Sequence, residues 1–73
     1  GFWLPQEEVI RLEVYDLSGK LVRELQSGYA FAGEQQVIWN GKGPGGQLIE
    51  PGVYVLRLQT SQGVLTKQLT LIR

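Results

Sequence analysis

The chain has 73 residues, which is enough for one domain with a thin hydrophobic core. Seven basic and seven acidic residues give a formal net charge of zero, so the basic excess that drives binding to nucleic acid or to anionic membranes is absent. Because the chain has no Cys and no His, disulfides, thiolate metal sites, cysteine nucleophiles and a Ser-His-acid triad are all excluded.

The first long pattern covers residues 8–15. Ile10, Leu12 and Val14 alternate there with polar side chains and a tyrosine. In a strand, successive side chains point to opposite faces, so this alternation is typical of a strand with one buried face. We therefore predict a half-buried strand over these residues.

A turn is predicted directly after this strand, at residues 16–19. Asp16 can accept hydrogen bonds from the backbone that follows it, and Gly19 can adopt the positive φ that such turns require. Residues 20–25 then predict the partner strand of a hairpin. Residues 26–33 contain two glycines and two aromatic side chains, which predicts a loop.

The middle of the chain combines a strand with a glycine-dense loop. Val37 and Trp39 lie on the same phase of an alternating pattern over residues 35–39, which predicts a strand that ends in Trp. Residues 41–46 hold four glycines and one proline, a density that neither a helix nor a regular strand tolerates. We expect an irregular loop here and a short strand at residues 48–49.

The last third of the chain predicts a second hairpin. Residues 53–60 have the strongest strand pattern, residues 61–63 predict a turn, and residues 64–73 predict a final strand. No segment shows a sustained period of 3.6 residues. The sequence therefore predicts an all-β fold, a small Ig-like sandwich of about seven antiparallel strands in a single domain over residues 1–73.

One phase of these strands is predicted to form the core. Trp39 is expected to anchor it, and Tyr54 is expected to pack beside it with its hydroxyl on a backbone partner. The other predicted core residues are Ile10, Leu12, Val14, Val22, Val37, Leu56, Leu58, Leu69 and Leu71. A further apolar strand is predicted at the chain start, over Phe2, Trp3 and Leu4. This first strand and the last strand are expected to be edge strands.

The segment from Trp39 to Tyr54 carries a resemblance to a known family. It reads Trp-Asn-Gly, then small and polar residues with further glycines, then Pro-Gly directly before Val-Tyr. It resembles the small Ig-like domains that include the Ig-like domain of the flagellar hook-capping protein and the C-terminal sorting domains of type IX secretion. The residues that carry this structural motif are Trp39, Asn40, Gly41, Gly46, Gly52 and Tyr54, with Asp16 and Gly19 of the first hairpin.

The resemblance implies a function without catalysis. It implies an Ig-like C-terminal module of a larger secreted or surface protein of bacteria, acting in export sorting and cell-surface attachment. The implied partners are proteins, either the secretion or attachment machinery or neighbouring subunits, and the implied location is extracellular or at the cell surface. One alternative is a structural assembly domain, hook-cap-like or a subunit of an extracellular filament. Another is a carbohydrate-binding accessory module.

The residues themselves favour no catalytic, cofactor or metal site. The seven acidic residues are interpreted as solvated surface charge, because so small a sandwich has little room for a facing pair of carboxyl groups. A calcium site would need about six to eight oxygens, usually with several carboxylates, whereas any one turn here offers one or two. Sugar binding would need exposed, coplanar aromatic rings, for which Tyr29 and Phe31 are the best candidates. No stretch approaches the roughly 18 apolar residues of a membrane span.

The recognition surface is predicted to be the exposed turns and the last strand. In so thin a sandwich we expect no pocket. Lys67 and Arg73 of the last strand are the possible recognition residues, since their charges would be available to a protein partner. The alternative is that Arg73 keeps the end of an apolar strand soluble.

Overall fold

The computed structural model describes residues 1–73, which form six strands and no helix. The strands are β1 (Phe2–Leu4), β2 (Glu8–Tyr15), β3 (Leu21–Ala30), β4 (Gly33–Gln35), β5 (Gly52–Thr60) and β6 (Gly63–Leu71). One antiparallel sheet has the order β3-β2-β5-β6, and β1 pairs with β4 in a second sheet. The predicted all-β, Ig-like architecture is confirmed, with six strands in place of about seven.

The two sheets form two layers with the core between them. The buried cluster joins Leu4 of β1 to Ile10, Leu12, Ala30 and Leu58 of the four-stranded sheet. β2 lies at the centre because both of its edges are paired, one with β3 and one with β5. Ile10, Leu12 and Val14 of this strand are all buried, so β2 contributes strongly to the hydrophobic driving force of this small domain.

β3 is longer than predicted. The predicted loop at residues 26–33 is wrong for residues 26–30, because β3 continues to Ala30 with Tyr29 opposite Val9 and Gly28 opposite Ile10. Gly28 accommodates this path with a φ of 119°. The pairing partner, rather than local composition, decides strand formation here, as expected of β-structure.

Two predicted strands in the middle of the chain are incomplete. Only residues 33–35 pair with β1, so the predicted strand at residues 35–39 has no ladder beyond its first residue. The predicted strand at residues 48–49 is reduced to one bridge between Leu48 and Lys42. Gln35 lies opposite Phe2, the second residue of the sequence, so the ladder stops there, and Leu48 has only the bridge to Lys42.

The predicted core is correct at its centre and too extensive at one side. Ile10, Leu12, Val14, Tyr54 and Leu58 are buried. The remaining predicted core residues are half-buried, namely Trp39, Val22, Val37, Leu56, Leu69 and Leu71. No strand of the second sheet covers β6, which is an edge strand as predicted, and this explains the exposure of its leucines.

Two carboxylates are buried, which corrects the interpretation of all acidic residues as solvated charge. Glu8 is 8% exposed, and one of its oxygens accepts the Ser61 N–H at 2.6 Å while the other has no partner. Glu13 is 5% exposed and contacts Arg57 at 3.4 Å. Glu13 also accepts the Tyr15 hydroxyl at 3.0 Å, and this hydrogen bond raises the pKa of Tyr15. Both carboxylates thus make contacts within the sheet.

Candidate functional site

Trp39 and Tyr54 meet at the base of the glycine-rich loop. Their ring centroids are 5.7 Å apart and their planes are inclined at 76°, an edge-to-face contact. The Trp39 indole N–H donates to the Lys42 carbonyl at 2.9 Å, and the Tyr54 hydroxyl donates to the Glu50 carbonyl. The predicted backbone partner of the Tyr54 hydroxyl is therefore present, and the two aromatic residues hold both ends of the loop.

Short-range hydrogen bonds fold the loop itself. The Asn40 side-chain oxygen accepts the Lys42 N–H at 3.0 Å, and the Ile49 N–H donates to the Gly41 carbonyl at 3.0 Å. Gly41 has a φ of 76° and Gly46 a φ of 83°, in the left-handed region that favours glycine. The spacing of Trp, Asn and the glycines in the motif thus corresponds to one compact loop.

Two arginines that are distant from this loop in the sequence bind it to the sheet. Arg23 of β3 donates to the carbonyls of Lys42 and Gly43 at 2.8 and 3.1 Å. Arg73, just after β6, donates to the Ile49 carbonyl at 2.9 and 3.2 Å and to the Gly41 carbonyl. The Arg73 guanidinium is therefore engaged within the domain. Sequence reasoning missed Arg23, since nothing local to β3 reveals a loop 19 residues away.

The first hairpin turn is closed by Asp16. Its carboxylate accepts the Ser18 hydroxyl at 2.7 Å and the backbone N–H groups of Ser18 and Lys20 at 2.9 Å each. The Ser18 hydroxyl, followed by the Lys20 N–H, holds the pKa of Asp16 below its usual value. Gly19 has a φ of 90°, and so the turn has the features predicted from the sequence.

Lys67 lies in a different setting from Arg73. It belongs to the row of β6 side chains that includes Leu65, Leu69 and Leu71, on the side of the sheet that faces the second layer. Its side chain is exposed, and it forms neither a hydrogen bond nor an ion pair. The structure thus presents an unpaired ammonium group within a row of leucines.

A groove of about 430 Å³ runs between the two layers on the β6 side. One wall is formed by Phe2, Val37 and Trp39, and the facing wall by the Lys67 row of β6. The floor is the inner face of β5, including Leu56. This groove contradicts the expectation that so thin a sandwich would have no pocket. It exists because the two-stranded sheet is too narrow to cover all four strands of the other sheet.

The rim of the groove carries backbone groups without partners. Residues 36–39 belong to no strand, and they take part in none of the backbone hydrogen bonds outside the strands. Exposure alternates along them, with Val37 and Trp39 half-buried and Ile38 90% exposed. Side-chain exposure that alternates with a period of two residues is typical of a β-strand. The rim therefore has the side-chain pattern of a strand without a neighbour on the ladder.

The exposed aromatic residues do not form a flat platform. The rings of Tyr29 and Phe31 contact each other at 6.1 Å with an interplanar angle of 84°, which is edge to face. Trp3 is 67% exposed on β1. The coplanar arrangement that sugar binding was expected to need is therefore absent at the predicted pair.

No group of three or more Asp and Glu side chains lies close enough to hold a metal ion. No helix of the structure is long and apolar enough to cross a membrane. The groove is a concave feature that the fold offers to a partner.

One family of proteins matches most of the chain. The family described as FlgD Ig-like domain matches residues 5–63. The matched part runs from the residue after β1 through β5, and it includes the whole Trp39 to Tyr54 loop. Comparisons with curated proteins and with solved structures found no match.

Proposed function

The chain belongs to the family of FlgD Ig-like domains, and from this premise we propose that it is a non-catalytic module that contacts protein neighbours in an assembly at the bacterial surface. The family match over residues 5–63 carries the proposal, since the family takes its description from a structural Ig-like domain. In this proposal the domain is one part of a larger protein, and the contact is hook-cap-like or filament-like in type.

The test is photocrosslinking in the native host. A benzophenone amino acid at Leu65, which is 69% exposed beside the groove, is expected to give an adduct with a neighbouring protein. The same substitution at Leu17, which is 68% exposed in the first hairpin turn, is the matched control for exposure. An absence of adducts at both positions would contradict a protein-recognition role.

Self-assembly is one form of this function, and it has its own measurement. Two copies or more of the domain would associate in a filament-like arrangement, so sedimentation velocity of the purified domain should show larger species as concentration rises. At about 1 mM, only self-association weaker than roughly 4 kcal/mol would escape detection. If the domain is still a monomer at that concentration, contact with a different protein remains as the form of the proposed function.

A second candidate function is export sorting and cell-surface attachment, as in type IX secretion. The observation that favours it is Lys67, an exposed charge without a partner on an edge strand, available to a receptor. The test fuses the domain and a leader peptide to an inert reporter in a host competent for type IX secretion. A reporter that remains in the periplasm would exclude this function.

The charge itself is tested in the same fusion. Lys67→Gln should reduce surface attachment, while Lys20→Gln, at another exposed lysine in the first hairpin, should leave it unchanged. Arg73 is unsuitable for this purpose because its guanidinium holds the loop at Gly41 and Ile49. Equal attachment of both lysine variants would show that a receptor does not recognise Lys67.

A further inference from the structure

We propose that Asn40 is a site of spontaneous covalent modification, which the closed loop protects and which reacts when the loop opens. Asn40 is the only asparagine of the chain, and Gly41 follows it directly. The modification converts Asn40 into aspartate or isoaspartate, with water as the co-reactant and ammonia as the released product. It needs no partner protein, so it is independent of the proposed recognition function.

The reaction begins with ring closure between the two neighbouring residues. The backbone nitrogen of Gly41 loses its proton to hydroxide and attacks Cγ of Asn40, so that a C–N bond forms, and the side-chain nitrogen takes a proton from water and leaves as ammonia. Because the reacting atoms belong to one short segment, this attack is intramolecular and needs no second molecule to position them. Water then opens the cyclic imide: cleavage of the bond from the nitrogen to Cγ gives aspartate, and cleavage of the bond to the backbone carbonyl carbon gives isoaspartate.

Two features of Gly41 favour this attack. It has no side chain, so nothing obstructs the approach of its nitrogen to Cγ. Its N–H also takes part in none of the backbone hydrogen bonds outside the strands, so no such bond must break before the proton leaves. Asn40 itself is exposed, and water can reach its side chain. The Asn-Gly pair is therefore reactive in any conformation that allows ring closure.

In the closed loop, hydrogen bonds hold both sides of the peptide unit between Asn40 and Gly41. The Asn40 side-chain oxygen accepts the Lys42 N–H at 3.0 Å. The Gly41 carbonyl accepts the Ile49 N–H at 3.0 Å and also binds the Arg73 guanidinium. Gly41 is buried, which keeps hydroxide away from its nitrogen. Rotation of this peptide unit toward Cγ would break these contacts, so the reaction requires the loop to open locally.

Isoaspartate would prevent the loop from closing again. It adds one methylene carbon to the backbone between residue 40 and Gly41, so the Gly41 carbonyl could not return to both the Ile49 N–H and the Arg73 guanidinium. Aspartate keeps the length of the backbone and a side-chain oxygen for the Lys42 N–H. The isoaspartate product therefore makes a temporary opening of the loop permanent.

The experiment incubates the purified chain at mildly alkaline pH and, in the same buffer, a capped peptide of residues 36–44 that is too short to form the loop. Trypsin releases residues 24–42 from the chain, because cleavage follows Arg23 and Lys42. Mass spectrometry detects the loss of ammonia and the gain of water, and electron-transfer fragmentation distinguishes isoaspartate from aspartate. Conversion should be at least about tenfold slower in the folded chain than in the peptide. Asn40→Gln, whose ring closure would need a larger imide, should show no conversion at this position.

A weaker anchor of the loop should accelerate the reaction. Trp39→Phe removes the indole N–H that donates to the Lys42 carbonyl at 2.9 Å, and conversion in this variant should be about fivefold faster, the value of one hydrogen bond. Trp3→Phe, at an exposed position on β1, is the matched control and should leave the rate unchanged. Equal rates in these two variants, or in the folded chain and the peptide, would overturn the protection by the loop. A peptide that stays unmodified would overturn the site itself.

The two products test the effect on the loop. The aspartate and isoaspartate fractions of the converted chain are separated by chromatography and unfolded by heating. The isoaspartate fraction should melt at a lower temperature than the aspartate fraction and the variant Asn40→Asp, although all three carry the same charge. Equal melting temperatures would show that isoaspartate does not prevent closure of the loop.

Discussion

Replacement of Trp39 by Phe tests the physical explanation of the loop motif. Phe retains a ring that can contact Tyr54 edge to face, but it lacks the indole N–H that donates to the Lys42 carbonyl at 2.9 Å. Loss of one such hydrogen bond costs about 1 kcal/mol. For a domain of this size, that loss should lower the melting temperature by about 4–8 °C. Trp39→Ala also loses the ring contact.

The expected cost of Trp39→Ala is about 3 kcal/mol, at the lower end for a tryptophan because this one is only half-buried. A chain of 73 residues has a total stability of roughly 4–11 kcal/mol, so Trp39→Ala should remove a large part of it. The ordering expected for the melting temperatures is therefore parent, then Trp39→Phe, then Trp39→Ala.

The assay is thermal and urea unfolding followed by circular dichroism, because fluorescence would change with the number of tryptophans. Trp3→Phe is the matched control: Trp3 is 67% exposed on β1, and its replacement should change stability by less than about 0.5 kcal/mol. If Trp39→Phe and Trp3→Phe melt at the same temperature, the indole hydrogen bond contributes nothing and the reasoning is refuted.

Three further predictions concern turns and the loop. Gly41→Ala should lower the free energy of unfolding in urea by more than Gly19→Ala does. Both glycines have a positive φ, which strains an alanine by about 1–2 kcal/mol, but a Cβ at Gly41 would also lie 2.9 Å from Arg73. Equal losses of stability in the two variants would contradict the close contact. Arg73→Gln should lower stability by about 1 kcal/mol through the lost carbonyl contacts, measured by thermal melting, and an unchanged melt would refute this. Because the pKa of Asp16 is lowered from 3.8 on folding, its charge contributes stability above that value, and the contribution is lost as pH falls through the lower folded-state pKa. The stability difference between the parent and Asp16→Asn should therefore shrink in acid, and a constant difference across the pH range would contradict this.

The best sequence predictions rest on local signals. The alternation of Ile10, Leu12 and Val14 predicted β2 with its observed bounds, and all three are buried. Asp16 and Gly19 predicted the first turn, where the carboxylate bonds and the positive φ are both present. Turn chemistry of this kind acts over four residues, so it can be inferred without knowledge of any distant partner.

The weaker predictions needed knowledge of pairing. The two glycines and two aromatic residues of residues 26–33 predicted a loop, but pairing with β2 extends the strand to Ala30. Trp39 was expected in the core and is half-buried. Glu8 was interpreted as surface charge and is buried against the Ser61 N–H, 53 residues away.

In the candidate site, too, the sequence identified individual residues, but their surroundings depended on the tertiary structure. Lys67 could be named from the sequence, but the groove it lines could not, because the groove results from a difference in width between two sheets. Arg73 could be named as well, but its engagement with the loop carbonyls depends on the approach of the chain end to residues 41–49. Neither contact follows from any pattern within a strand.

The sequence by itself therefore determined the all-β class, the central strand, the turns and the family motif, since periodicity and turn chemistry are properties of neighbouring residues. The tertiary structure alone decided which strands found partners, which side of the core stayed open and which charges were engaged. Those outcomes depend on pairing between segments far apart in the chain, and a strand pattern specifies a buried face without specifying the neighbour that covers it.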